Sequence, residues 1–199
     1  MSSRRQYTLK KRAEEMAETR RRITEAAVDL HGTVGPARTS WSAVAERAGV
    51  ERHTVYRHFP TEADLFGACS AHYFAAHPFP DLEPWRAISD PNERLARALD
   101  DIYAFYERTE PMFTNVWRDI EFVDAIRPGL APFLGYLAQA TEILATGFGG
   151  LGERACLIEA ANGHALNFST WRSLAAGGCV TRAEAVRLVA ALVEEAATT

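Results

Sequence analysis

Apolar residues return every three or four positions in segment after segment of this chain, while sustained apolar–polar alternation is absent. The first such segment covers residues 10–31, charged at its start, with Ile23, Ala26, Ala27 and Leu30 forming one apolar stripe. Two glycines and a proline in "HGTVGPARTS" end it. Thr39 or Ser40 then caps a short helix whose buried face is Trp41, Val44, Ala45 and Ala48. A third helix is predicted over 51–58 and is stopped by Pro60. "TEAD" opens a fourth, with a threonine cap and acids in the first turn, carrying Leu65, Phe66, Cys69 and Tyr73.

Three prolines in "HPFPDLEP" forbid that helix from continuing. Beyond them the pattern predicts helices at 91–109, 112–123, 129–147, 153–176 and 181–197. About nine helices joined by short breaks describe an all-α protein. The chain divides into a first part, 1–62, and a second, 63–199, with the helix at 62–76 as the link between them.

Charge sharpens that division. The net charge is −4 over 199 residues, yet residues 1–62 hold 12 Lys and Arg against 8 Asp and Glu. The remaining residues are strongly acidic, so only one end is suited to a polyanion. Arg4, Arg5, Lys10, Lys11 and Arg12 read as a flexible basic arm. Cys69, Cys156 and Cys179 are too scattered for a disulfide framework and read as small hydrophobes in a reducing cytosol. With no signal peptide and no apolar run of membrane-spanning length, the chain reads as cytoplasmic, with no membrane partner.

The basic end carries the most specific pattern, "AERAGVERHTVYRHFP". Gly49 stands where a helix C-terminus needs a left-handed residue. At 100° per residue, Arg52, His53, Tyr56 and Arg57 share one outward arc of the next helix, opposite Val55. Two short helices joined by a glycine turn, the second with a polar outer face, make a helix-turn-helix sized for the DNA major groove.

The run from Thr39 to Phe66, "TSWSAVAERAGVERHTVYRHFPTEADLF", closely resembles the TetR family of bacterial transcriptional regulators. The Val44–Ala45 pair, Ala-Gly-Val, and Thr54, Tyr56, His58 and Phe59 meet its pattern. The resemblance implies an N-terminal three-helix DNA-binding domain and a C-terminal helical domain that binds a small molecule and dimerises. It implies base contacts from Arg52 and His53, with Arg57 beside them, and phosphate contacts from Thr39, Ser40, Thr54, Tyr56 and His58. Glu51 replaces the family's usual serine cap and Glu62 a common lysine. Acids there repel phosphate, so the fourth helix is expected to add no strong backbone contact.

The implied partners are a double-stranded operator, a small-molecule effector and a second copy of the chain. A dimer face is expected from Val186, Val189, Ala190 and Val193 with Ala155, Ile158, Ala161, Ala165 and Leu166. Side chains with an apolar body and a polar tip supply effector-binding candidates: Tyr103, Tyr106, Phe113, Trp117, Phe133, Tyr136, His164, Asn167, Phe168 and Trp171. His164 and Asn167 stand out as polar groups on an apolar helix. "GFGGLG", residues 147–152, imitates a nucleotide-binding fingerprint but follows a helix, and reads as a cap and loop. The histidine pairs His53/His58 and His72/His77 are five apart and face different ways, so no metal clamp is expected. No nucleophile motif, cofactor or catalytic residue is expected. A helical pocket enzyme and a DNA-binding protein without ligand control are the rival classes; the second leaves the aromatic residues of the C-terminal part unexplained.

Overall fold

The computed structural model describes residues 2–148, 153–175 and 178–198, and every regular element among them is helical. Ten α-helices follow in order: α1 (Ser2–Thr33), α2 (Trp41–Ala48), α3 (Arg52–His58), α4 (Glu62–Ala76), α5 (Glu83–Arg86), α6 (Pro91–Asp119), α7 (Ile126–Ala145), α8 (Glu153–Ala165), α9 (Phe168–Ala175) and α10 (Arg182–Thr198). A 3₁₀ turn, Pro36–Arg38, lies between α1 and α2.

The expected helices at 91–109 and 112–123 are one continuous helix, α6, which runs through Pro111. An interior proline costs about 3 kcal/mol. Burial outweighs it: Leu95, Leu99, Ile102, Tyr103, Phe105 and Tyr106 are fully buried on this helix, at ~1.5–3 kcal/mol for each large apolar side chain.

The expected helix at 153–176 is instead two. Leu166 and Asn167 leave the helical path, and Asn167 Oδ1 accepts the Ser169 N–H at 2.8 Å, capping α9. The proline-rich segment adds the four-residue α5. Nor is the basic arm a flexible tail: α1 starts at Ser2, and Lys10 and Lys11 sit 3.9 Å from Glu14 and Glu15. Of the three cysteines only Cys69 is buried.

The chain forms two compact units, Met1–Ala76 with Pro111–Leu130, and His77–Glu110 with Ala131–Thr199. In the first, Ile23 and Ala27 of α1, Val44 and Ala45 of α2, Val55 of α3, and Phe59 after it form one core with Leu65 and Cys69 of α4. That shared core is why α4 belongs with the helices before it, rather than with residues 77–110. In the second unit α10 packs on α8. The stripe expected to face a partner subunit, Val186, Val189, Ala190 and Val193, is buried inside this unit together with Ile158, Ala165 and Leu166. Leu157, Leu188 and Leu192 are the exposed large apolar residues among those described on the same two helices.

Candidate nucleic-acid interface

Three local features set the reading helix, α3, in place. Ser40 Oγ accepts the Ala43 N–H at 3.1 Å and caps α2. Gly49 ends α2 with φ +63°, and the Val50 N–H returns to Ala45 O at 3.0 Å, so the chain reverses within three residues. Val55 and Phe59 then bury completely and anchor α3 from its inner side. Arg20 of α1 closes the far end. Its Nη1 donates to His58 O at 2.6 Å while its guanidinium lies 4.0 Å above the Phe59 ring.

That anchoring leaves Arg52, His53, Tyr56 and Arg57 exposed on one face, with Thr54 and His58 half-buried at its edges. The exposed face is internally organised. Trp41 of α2 stacks on Tyr56 with ring centroids 4.8 Å apart, and Arg52 Nη2 donates to Tyr56 Oη at 2.8 Å. Thr39 Oγ1 donates to Gly35 O, which holds the residue before the Ser40 cap. Burial, with the Arg57 and Arg20 charges, lowers the His58 imidazole below its ordinary value. Glu51 caps α3 through its backbone only, and Glu62 is exposed at the start of α4.

A second set of residues, absent from the sequence-based expectations, fixes the segment leading into α2. At the end of α6, Asn115 Nδ2 donates to His31 O and Gly32 O, and Arg118 Nη2 donates to Val34 O at 3.1 Å. Asp119, buried and paired with Arg118, accepts the Ala37 N–H at 3.0 Å. That pairing, then the Ala37 bond, holds its carboxyl below the usual carboxylate range. Gly35 makes this closeness available. Its φ is +97°, and a Cβ there would come within 2.0 Å of the Arg118 guanidinium. The glycine was legible as a breaker, but nothing local in "NVWRDI" announces a partner more than eighty residues away.

The effector candidates do not form one group. Tyr103, Tyr106, Phe133, Tyr136, Phe168 and Trp171 are buried in the second unit. Their rings interlock: Tyr106 lies 5.3 Å from Phe168 and 5.7 Å from Trp171. The Tyr103 and Tyr106 hydroxyls donate to Ala165 O and Leu166 O at 3.0 and 2.5 Å, satisfying carbonyls at the end of α8. Phe113 and Trp117 belong to the first unit. His164 and Asn167, expected among the effector-binding groups, are exposed: His164 on the last turn of α8, and Asn167 beyond its end as the cap of α9. Residues 149–152 of "GFGGLG" lie outside the described residues; Gly147 has φ +93°.

Comparison with known proteins places this geometry. The family described as bacterial regulatory proteins, tetR family, matches residues 23–69, from the anchoring half of α1 into α4. An HTH-type transcriptional repressor of Mycobacterium tuberculosis is 35% identical over 135 residues, covering 64% of this chain and 69% of its own length. Among solved structures, a regulator assigned to fatty acid metabolism from Clostridium perfringens superposes with TM-score 0.60 at 14% identity, over 88% of this chain and 97% of its own. A TetR-like transcriptional regulator from a Rhodococcus species gives TM-score 0.53 at 21% identity, over 88% of this chain and 93% of its own. The chain belongs to the TetR family of bacterial transcriptional regulators.

Proposed function

We propose that this regulator is a cytoplasmic repressor that binds a pseudo-palindromic operator as a homodimer and is released by a small-molecule effector. In this reading residues 1–62 bind DNA, residues 63–199 dimerise and respond to ligand, and no catalytic step is involved. The carrying observation is the face of α3: four exposed donors and rings on a helix whose other side is fully buried. A helix presented in this way enters the major groove, where an arginine reads guanine through two hydrogen bonds. Arg52 and His53 take the base edges, with Arg57 beside them. Thr39, Ser40, Thr54, Tyr56 and His58 hold phosphates. Leu188 and Leu192 of α10, with Leu157 of α8, supply the apolar surface on which a second copy docks.

Release is a population shift. Moving a two-state equilibrium from 1:99 to 99:1 requires about 5.5 kcal/mol of differential affinity, so the effector must contact the two states differently. Selection of bound fragments from random DNA is expected to return a two-half-site motif, bound with an affinity that falls steeply between 50 and 200 mM salt. A flat salt dependence, or no enriched motif, removes the reading.

A further inference from the structure

The first half of α1 leaves the core of its unit. From Gln6 to Arg22 the helix is exposed at nearly every described position, and at 1.5 Å per residue the turns before Arg20 reach about 27 Å. Two contacts give its course. Asp29 pairs with Arg47 at the end of α2, and nine residues earlier Arg20 donates to His58 O and covers the Phe59 ring at the end of α3. Followed towards its N-terminus, α1 therefore passes from α2 to the end of α3 that carries His58, and runs on beyond it. This projecting part precedes residues 23–69, the stretch that carries the family pattern.

Its charges are divided by face. Residues 2–13 include Arg4, Arg5, Lys10, Lys11 and Arg12 and no Asp or Glu. At 100° per residue, Leu9, Arg12, Ala13, Met16 and Arg20 fall on the side of α1 that carries Ile23 and Ala27. Glu14, Glu15, Glu18 and Glu25 fall on the opposite side. Arg12 is exposed and enters no ion pair among the described residues, whereas Lys10 and Lys11 lie 3.9 Å from Glu14 and Glu15. Leu9 and Met16, beside Arg12, are exposed as well. The segment "KKRAEEMAE" consists entirely of strong helix formers, so it holds its shape without a partner better than an average sequence would.

We propose that the projecting part of α1 is a second DNA-binding element, a stiff rod that lies along the sugar–phosphate backbone outside the half-site read by α3. The proposal rests on the DNA-binding reading above and adds to it a site on a different element. Charge complementarity names the occupant. An arginine takes a phosphate through two N–H groups, and the acids stand on the far side of the rod. Leu9 and Met16 then meet the apolar faces of deoxyribose rings, which flank every phosphate. A second copy of the same face would instead set Arg12 and Arg20 against arginines, with no acid on that side to receive them.

Hydroxyl-radical footprints and salt titrations of the 199-residue chain test this, on a selected fragment with long flanks and on an arbitrary duplex. The chain is expected to protect sugars beyond each selected half-site. Removal of residues 2–12 should withdraw that protection and lower the slope of log affinity against log salt by about two. Arg12→Ala should lower it by about one, more than Lys10→Ala and Lys11→Ala together. Ala17→Pro keeps every charge but breaks the rod between Arg12 and the core; protection of the flanks should be lost while the selected motif is unchanged. All these positions are exposed, so the thermal midpoint should not move. Footprints of the intact chain that end at the half-sites, equal losses from the lysine and arginine changes, or flanks indifferent to Ala17→Pro overturn the proposal. A selected motif bound alike with and without residues 2–12 sinks the rod alone. Failure to select any motif, while truncation still lowers the slope on the arbitrary duplex, sinks the operator reading and leaves the rod.

Discussion

At the scale of single residues, Arg52 and His31 carry the sharpest consequences. Arg52 rests on Tyr56 with its guanidinium 5.4 Å from the ring centroid, already ordered before any base is met. Arg52→Ala is expected to relax preference at one position of each half-site, by ~1–3 kcal/mol of discrimination, read from the motif selected by the variant. His31, buried and stacked on Phe66, is a stability determinant. Its pKa is about 4 in the fold and ordinarily ~6.5 in an unfolded chain. A depressed histidine contributes stability that is complete above the unfolded value and is lost as pH falls from there toward the folded one. Between pH 7 and pH 5 the wild type should therefore lose about 2 kcal/mol more than His31→Phe, measured by urea unfolding at each pH.

At the scale of elements, the helix-turn-helix was legible in the sequence because its determinants are local. A serine cap, a left-handed glycine and two buried anchors lie within twenty residues, and the structure places each where its spacing requires. What escaped was non-local. Pro111 reads as a helix end until burial on both sides of it is known, and the split after Ala165 is visible only as an asparagine cap. Asn167 looked like part of one long helical face; once α8 stops at Ala165, it lies outside as the cap of α9. The hold of α6 on the segment before α2 is the longest-range case. Asp119→Ala removes a buried acceptor from the Ala37 N–H and from Arg118, and should cost ~1–3 kcal/mol. Asp119→Asn, which keeps one acceptor for Ala37, should cost less. If the two variants unfold alike, the backbone bond is not what matters.

For the whole molecule, the acidic net charge of −4 conceals a basic first third, so attraction to DNA is confined to one end and depends on orientation. A short α3 alone reads one half-site, and in the proposed homodimer a second copy supplies the other. Leu157, Leu188 and Leu192 are exposed while the valine stripe is buried, so the proposed dimer face lies on the leucines. Leu188→Glu combined with Leu192→Glu should give a monomer by sedimentation with an intact far-ultraviolet spectrum. Its binding to a two-half-site fragment should fall to that of a single half-site. A dimer that survives both changes places the interface elsewhere.

The stack of Trp41 on Tyr56 gives the molecule an optical gauge of its own. Trp85 and Trp171 are buried in the second unit and Trp117 is half-buried on α6, whereas Trp41 is half-exposed and stacks on Tyr56 of the reading face. A groove closing over α3 changes the surroundings of that indole directly. Its emission should therefore follow occupancy of the operator in real time without an attached dye, and Trp41→Phe should silence the signal.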